Sequence, residues 1–310
     1  MARKLDARRK KLKTEFTKAR GYWNALWNDI LDLSPEFFEA YMQFSSVPWK
    51  NGPLEPKVKE FIYIAIDAST THLHDQGLRV HMGNALRYGA TKEEIMEVLQ
   101  LTSVLGIHTV TMGVPILFEQ MKKAGREAEI APRPLDARRQ ALKDQFTKNR
   151  GYWSALWDGV LQNSPDFFES YMNLSSVPWL HGVLEPKIRE FIYIAIDAAT
   201  THLYEPGTHV HIENALKHGA TVDEIMEVFQ LTAVLGIHTY TLGIPALLDE
   251  MKKAKIPVYG AARKSATKKP KTKAKKKVVK KAVKKLAKKS AKKVTKKAVK
   301  KKTKKKAARR

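Results

Sequence analysis

The chain has 310 residues, 43% of them hydrophobic, with 57 Lys/Arg against 31 Asp/Glu and a formal net charge of +26. It contains no cysteine, which excludes disulfides, thiolate metal sites, cysteine nucleophiles and dithiol redox chemistry. The charge is uneven: residues 256–310 hold 27 of the basic residues and no acidic one, leaving 30 basic against 31 acidic residues in the body.

Residues 5–123 recur at 135–253 without a gap, so that Gly21-Tyr22-Trp23 returns as Gly151-Tyr152-Trp153. Roughly two-thirds of the paired positions are identical, which marks a tandem duplication and not a short-period solenoid. The expected organisation is a first repeat over 1–125, a linker over 126–134, a second repeat over 135–255 and a basic tail over 256–310. Each repeat is large enough to bury a core. Two near-identical copies in one chain make a covalent pseudo-dimer, and each copy is expected to carry its own site.

The basic start, Met1 to Arg9, is followed by no apolar run and predicts no secretory signal. Phe16, Tyr22, Trp23, Leu26, Trp27, Ile30 and Leu31 recur at helical spacing and predict one helix from about Leu5 to Leu31. Ser34-Pro35-Glu36, and Ser164-Pro165-Asp166 in the copy, read as helix starts. Val47 to Pro53 reads as a loop by its Pro and Gly content, and a largely apolar helix follows from Pro56 to about Thr70. After a polar break at His74-Asp75-Gln76-Gly77, a helix carries His81 and Leu86 and ends near Gly89. Thr91-Lys92-Glu93-Glu94 and Thr221-Val222-Asp223-Glu224 are capping boxes opening the next helix. Gly113-Val114-Pro115 is expected to break the chain before a last short helix. The stretch Ile95 to Phe118, interrupted by Glu97, Gln100 and His108, reads as buried helix and not as a membrane span. Neither repeat shows a strand pattern, so the fold class is all-α: two tandem multi-helix domains plus a disordered basic tail.

The candidate chemistry lies in polar residues set among these apolar helices. Glu60 and Glu190 open the most hydrophobic helix of each repeat, and three histidines recur as His72 and His202, His81 and His211, His108 and His238. Each alone reads as an electrostatic cap or a hydrogen-bonded core residue. Together, Glu60 with His81 and Glu190 with His211 can converge a carboxylate and an imidazole on one pocket, the usual acid–base pair. Tyr63, Tyr193, His72, His202, His108 and His238 are weaker pocket candidates. His72, His74 and His81, with Asp75 and Glu60, match no zinc spacing, and Tyr204 replaces His74 in the copy. No metal and no cofactor are expected.

Glu60-x-x-x-x-Ala65, then His81-x-x-Asn84-Ala85-Leu86-x-x-Gly89-Ala90-Thr91-x-x-Glu94-Ile95, resembles the carboxymuconolactone decarboxylase family, which includes the alkylhydroperoxidase-like proteins. The copy shows Glu190, His211, Asn214-Ala215-Leu216, Gly219-Ala220-Thr221 and Glu224-Ile225. The resemblance covers about 45–120 and 175–250. It implies an all-α fold assembling into trimers or hexamers, here a trimer of tandem chains. One branch of the family decarboxylates a lactone acid; the other reduces peroxides with a Cys-x-x-Cys pair between the glutamate and the histidine. Counting back from His81, those positions hold Gly77 and His74, and no alignment supplies a thiol, so peroxide reduction by that route is excluded. The function implied is a lyase acting on a small organic (lactone) acid by Glu/His acid–base chemistry.

The tail repeats Lys-Lys-x-x: Lys280-Lys281, Lys284-Lys285, Lys288-Lys289, Lys292-Lys293, Lys296-Lys297 and Lys300-Lys301. Such a segment cannot offset its own ordering entropy when free. It resembles linker-histone tails and predicts sequence-independent binding of nucleic acid or another polyanion by counterion release. A membrane partner is not expected, since no Trp or Phe anchors the segment. The expected location is cytoplasmic and nucleoid-associated. The alternative to an enzyme is a non-catalytic oligomeric scaffold that presents basic tails to DNA.

Overall fold

The first repeat contributes α1 (Ala7–Arg20), α2 (Leu26–Leu33), α3 (Pro35–Ser45), α4 (Val47–Asn51), α5 (Pro56–Ala68), α6 (Asp75–Arg87), α7 (Lys92–Ser103) and α8 (His108–Lys123). The second contributes α9 (Ala137–Arg150), α10 (Asp158–Asn163), α11 (Pro165–His181), α12 (Pro186–Ala198), α13 (Glu205–Lys217), α14 (Val222–Ala233) and α15 (His238–Lys253). Short 3-10 turns occupy Val104–Ile107 and Val234–Ile237, ahead of α8 and α15. This is a computed structural model, and it describes residues 5–258; there is no strand among the described residues. The lysine pairs from Lys280 to Lys301 lie outside them.

The sequence punctuation explains most boundaries. Thr91 and Thr221 each close a capping box with Glu94 and Glu224. Gly89 and Gly219 follow α6 and α13 at φ 82° and 80°, a region open to glycine at no steric cost. Three expectations differ from the structure. The first helix is split, because Gly21 adopts φ 75° and caps α1 through an N–H bond to Thr17 O. The segment Val47–Asn51 is a helical turn and not a loop, with Pro48 in its first turn. There the missing N–H would have had no helical partner anyway. Pro115 lies inside α8; the break falls earlier, at the 3-10 turn.

Both repeats share their cores. Leu54, Val58, Ile62 and Ile66 pack with Phe191, Ile194, Val228 and Leu231 of the second repeat, and Phe61, Ile64, Val98 and Leu101 pack with Leu184, Ile192 and Ile196. The ends of the repeats are exchanged. Ile237, Tyr240 and Ile244 pack on the aromatic cluster of α1–α3, while Ile107, Val110 and Val114 pack on its counterpart in α9–α11. Residues 1–250 accordingly form one compact unit.

Two buried ion pairs tie the repeats across this pseudo-two-fold. Glu97 accepts from Arg189 Nε at 2.6 Å and from the backbone N–H groups of Val183 and Leu184 at 2.5 and 2.8 Å. Glu227 answers with Lys59 Nζ at 2.7 Å and the Leu54 N–H at 2.7 Å. A Cβ on Gly52 would come within 2.0 Å of the Glu227 carboxylate, so only glycine admits the approach. Breaking such a pair by removing one partner costs about 3–5 kcal/mol, because the other charge stays buried.

The runs Lys92–Lys123 and Val222–Lys253 are long and apolar enough to cross a membrane by length and composition. Each is interrupted by a 3-10 turn and carries Glu97 or Glu227 in its buried pair.

Candidate functional site

The central helix α5 buries every residue from Val58 to Asp67, so its polar side chains must find partners inside the protein. Glu60 and Tyr63 lie one turn apart on it, facing His81 and Asn84 one turn apart on α6. His81 Nδ1–H donates to Glu60 Oε2 at 2.6 Å, and Asn84 Nδ2 donates to Glu60 Oε1 at 3.1 Å. The Tyr63 ring stacks on the His81 ring with centroids 4.5 Å apart. Glu60 is fully buried and fixes the imidazole tautomer, which aims Nε2 away from the carboxylate.

The second repeat repeats the arrangement at the same 2.6 Å between His211 Nδ1 and Glu190 Oε2, with Tyr193 stacked 4.5 Å from His211. Asn214 differs: its Nδ2 and Glu190 Oε1 are buried without partners.

His81 lines a cavity with Arg20, Tyr22, Tyr41, Tyr63, Asp67 and His74. Glu60 stands behind His81 and is not part of the wall. The other wall comes from the second repeat: Leu231, Val234, Leu235, Ile237, His238 and Thr241. A matching cavity is lined by His211, Arg150, Tyr152, Tyr171 and Tyr193, closed by Val104, Leu105, Ile107, His108 and Thr111 of the first repeat. The structure therefore joins Glu60, His81 and Tyr63 as the sequence suggested, and corrects the expectation that each copy carries its own site. His108 enters the second pocket and His238 the first.

Arg20 and Arg150 are the residues that sequence reasoning missed. Arg20 is 3% exposed; its guanidinium donates to Ser45 O at 3.1 Å and lies over the Trp49 ring. A guanidinium stays charged, so the pocket holds a fixed positive charge. Burial pushes the Tyr22, Tyr41 and Tyr63 hydroxyls up from their ordinary value, keeping them protonated donors. The one signal in the sequence is Arg-Gly-Tyr-Trp at both 20–23 and 150–153: a helix-end arginine followed by a left-handed glycine turns its side chain inward.

The remaining histidines assemble differently from the trio weighed in the sequence. His81 is committed to Glu60. His72 Nε2 instead lies 2.7 Å from His238 Nδ1, beside Asp67 and His74. In the copy His202 Nε2 lies 2.7 Å from His108 Nδ1, beside Asp197. Burial holds His108 and His238 down at about 3, and it pushes the Asp197 carboxyl up to about 7.

The carboxymuconolactone decarboxylase family model matches residues 35–106 and 165–245. A crystal structure named "putative gamma-carboxymuconolactone decarboxylase subunit", from Burkholderia xenovorans LB400, is 45% identical with a TM-score of 0.76, over 79% of this chain and 98% of that one. The chain belongs to the carboxymuconolactone decarboxylase family. A match over 79% of the chain exceeds what one repeat supplies, so that relative carries the paired arrangement too. The carboxymuconolactone decarboxylase segments include Glu60, His81, Glu190 and His211, but Arg20 and Arg150 lie outside them. No curated protein sequence matches the chain.

Proposed function

We propose that the chain is a lyase that decarboxylates a small organic acid of the lactone type, with one site in each mixed pocket. The observation that carries this reading is the Glu60–His81 pair facing a buried arginine across a largely apolar cavity. Arg20 is placed to hold a substrate carboxylate or a lactone carbonyl by charge-assisted bonds, and the protonated tyrosines add neutral donors. As the bond to the departing carboxylate breaks, CO2 leaves and its electron pair stays on the adjacent carbon, conjugated with the lactone carbonyl. A protonated His81, held by Glu60 through Nδ1–H, delivers its Nε2 proton to that carbon and regains one from solvent. The apolar walls favour the loss of charge from the carboxylate. His211, Glu190 and Arg150 take the same parts in the second pocket. The test is CO2 release from γ-lactone carboxylic acids by the purified full-length protein. Release at the buffer rate across that series, from protein with an intact fold, removes the lyase assignment.

The tail favours a second property beside the first. Its 27 basic residues against a near-neutral body support tethering to nucleic acid, with the helical body as an oligomeric platform. Met112, Ile116 and Leu117 on α8 and Leu242 and Leu247 on α15 are each more than half exposed, which supports self-association; a trimer of tandem chains is the form that the family resemblance implies. Full-length protein is expected to retard duplex DNA of any sequence, with affinity falling steeply as salt rises. A chain ending at Tyr259 is expected to lose that binding and keep its oligomeric state in sedimentation. Undiminished binding by the shorter chain places the contact on the body and removes the tail from the account.

A further inference from the structure

In the wall of each pocket lies a cluster of buried ligand-type side chains that the Glu60–His81 pair does not use. Asp67 near the end of α5, His72 and His74 in the following bend, and His238 at the start of α15 bring one ligand atom each within 4.8 Å of one another. His108, Asp197 and His202 do the same in the other half. The atoms correspond. In the first cluster His72 Nε2 and His238 Nδ1 are 2.7 Å apart, and Asp67 Oδ1 lies 3.8 and 3.5 Å from them. In the second His202 Nε2 and His108 Nδ1 are 2.7 Å apart, and Asp197 Oδ1 lies 3.6 Å from His108 Nδ1. Two imidazoles and one carboxylate thus converge twice, each time with one histidine supplied by the other repeat.

Hydrogen bonding within the protein does not satisfy these clusters. Asp67 is 2% exposed and Asp197 fully buried, yet Asp67 Oδ2, both oxygens of Asp197 and His74 Nε2 have no hydrogen-bond partner. Two neutral imidazoles 2.7 Å apart share a single N–H, which leaves the carboxylate without a donor. Buried acceptors of this kind are costly when left alone, and a cation is what a carboxylate beside two imidazole lone pairs accommodates.

We infer that each cluster is a divalent transition-metal site, formed by Asp67, His72 and His238 in one half and by Asp197, His202 and His108 in the other. Imidazole nitrogens select zinc, iron, cobalt, nickel or copper over calcium and magnesium, and two histidines with one carboxylate leave open positions for an exogenous ligand. Ligand atoms around such an ion at about 2.0–2.1 Å stand farther apart than 2.7 Å, so the two imidazoles swing apart by a few tenths of an ångström on loading.

The halves are not equivalent. His74 stacks on His238 with centroids 3.8 Å apart, and its Nδ1 lies 3.8 Å from Asp67 Oδ2 while accepting from the Gly77 N–H. A modest rotation makes it a fourth ligand. Tyr204 occupies that place in the other half, stacks on His108 at 3.9 Å, and shares a 2.5 Å hydrogen bond with the Thr111 hydroxyl. The first cluster is therefore the tighter one.

Cobalt(II) titration of untagged full-length protein, stripped with EDTA and dialysed, tests this through visible d–d absorption and equilibrium dialysis. Two equivalents per chain are expected. Either His238→Ala or His108→Ala reduces this to one, the double substitution abolishes binding, and exposed His209→Ala changes nothing. His72→Gln and His74→Tyr, gentler changes, are expected to weaken the first site about 10–100-fold and to spare the second. A raised melting temperature of the wild-type protein with Zn2+ provides a readout independent of any variant. Absence of Co2+ binding at micromolar concentration, or binding that survives the folded double variant, overturns the inference. CO2 release is read separately, because Glu60 and His81 lie outside the ligand set although Asp67, His74 and His238 share the pocket wall with His81.

Discussion

Glu60→Gln combined with Glu190→Gln is expected to lower lyase turnover by at least about 100-fold, the lower range for a positioned acid–base group. The single Glu60→Gln variant retains close to half. The physical basis is the 2.6 Å bond from His81 Nδ1–H to a fully buried carboxylate. Glutamine keeps the shape and can still accept from Nδ1–H, but it carries no negative charge against the imidazolium that proton delivery requires. A carboxylate that only orients a histidine can still be worth several powers of ten in turnover. Circular dichroism and thermal melting of the variants separate this from unfolding: with the glutamine oxygen on Nδ1–H, its amide nitrogen takes the Oε1 place, where Asn84 has to turn its own oxygen to accept. A double variant that melts earlier and turns over at the wild-type rate shows these glutamates to be structural.

Residues 1–130 expressed alone are expected to form a homodimer and no folded monomer. Separation from the second repeat strips the partners from Leu54, Val58, Ile62 and Ile66 on one face and from Phe61, Ile64 and Leu101 on another. It also leaves Glu97 without Arg189. A second copy of the same repeat supplies what is lost. The two repeats are alike at roughly two-thirds of positions, and Lys59 already serves as the cation for Glu227, so it can serve Glu97 in a symmetric pair. His108 then enters the pocket of the other copy. Sedimentation is expected to give a dimer, with a melting temperature that rises with protein concentration. A monomer with a cooperative, concentration-independent melt contradicts the shared-core architecture.

Local features were legible in the sequence because they depend on neighbours a few positions apart. The capping boxes at Thr91 and Thr221, the glycine stops at Gly89 and Gly219, and the buried run of α5 all follow from short-range chemistry. Glu60 with His81 was legible for the same reason, since α5 and α6 are consecutive helices joined by a short bend. Gly21 broke a helix that periodicity alone carried through, because hydrophobic spacing is blind to a single left-handed residue. The exchange of α8 and α15 was not legible. Within one repeat, His108 reads as a neighbour of His81, and nothing local reveals that the 3-10 turn at Val104–Ile107 sends it to the other half. Arg20 was hidden likewise: a basic residue in the last turn of a helix reads as a dipole partner until Tyr63 and Trp49 are seen to enclose it. The convergence of Asp67, His72 and His238 was hidden for the same reason, since His238 stands 166 positions from His72.

The exchange of His74 for Tyr204 has a consequence for how such a molecule can be inherited. Were the two halves separate chains, random pairing would yield three kinds of dimer, and a change in one copy would be diluted among them. The segment that joins α8 to α9 makes every molecule the mixed pair. One half can then drift in chemistry while the other holds it, and because each pocket borrows a histidine from its neighbour, neither half can be discarded.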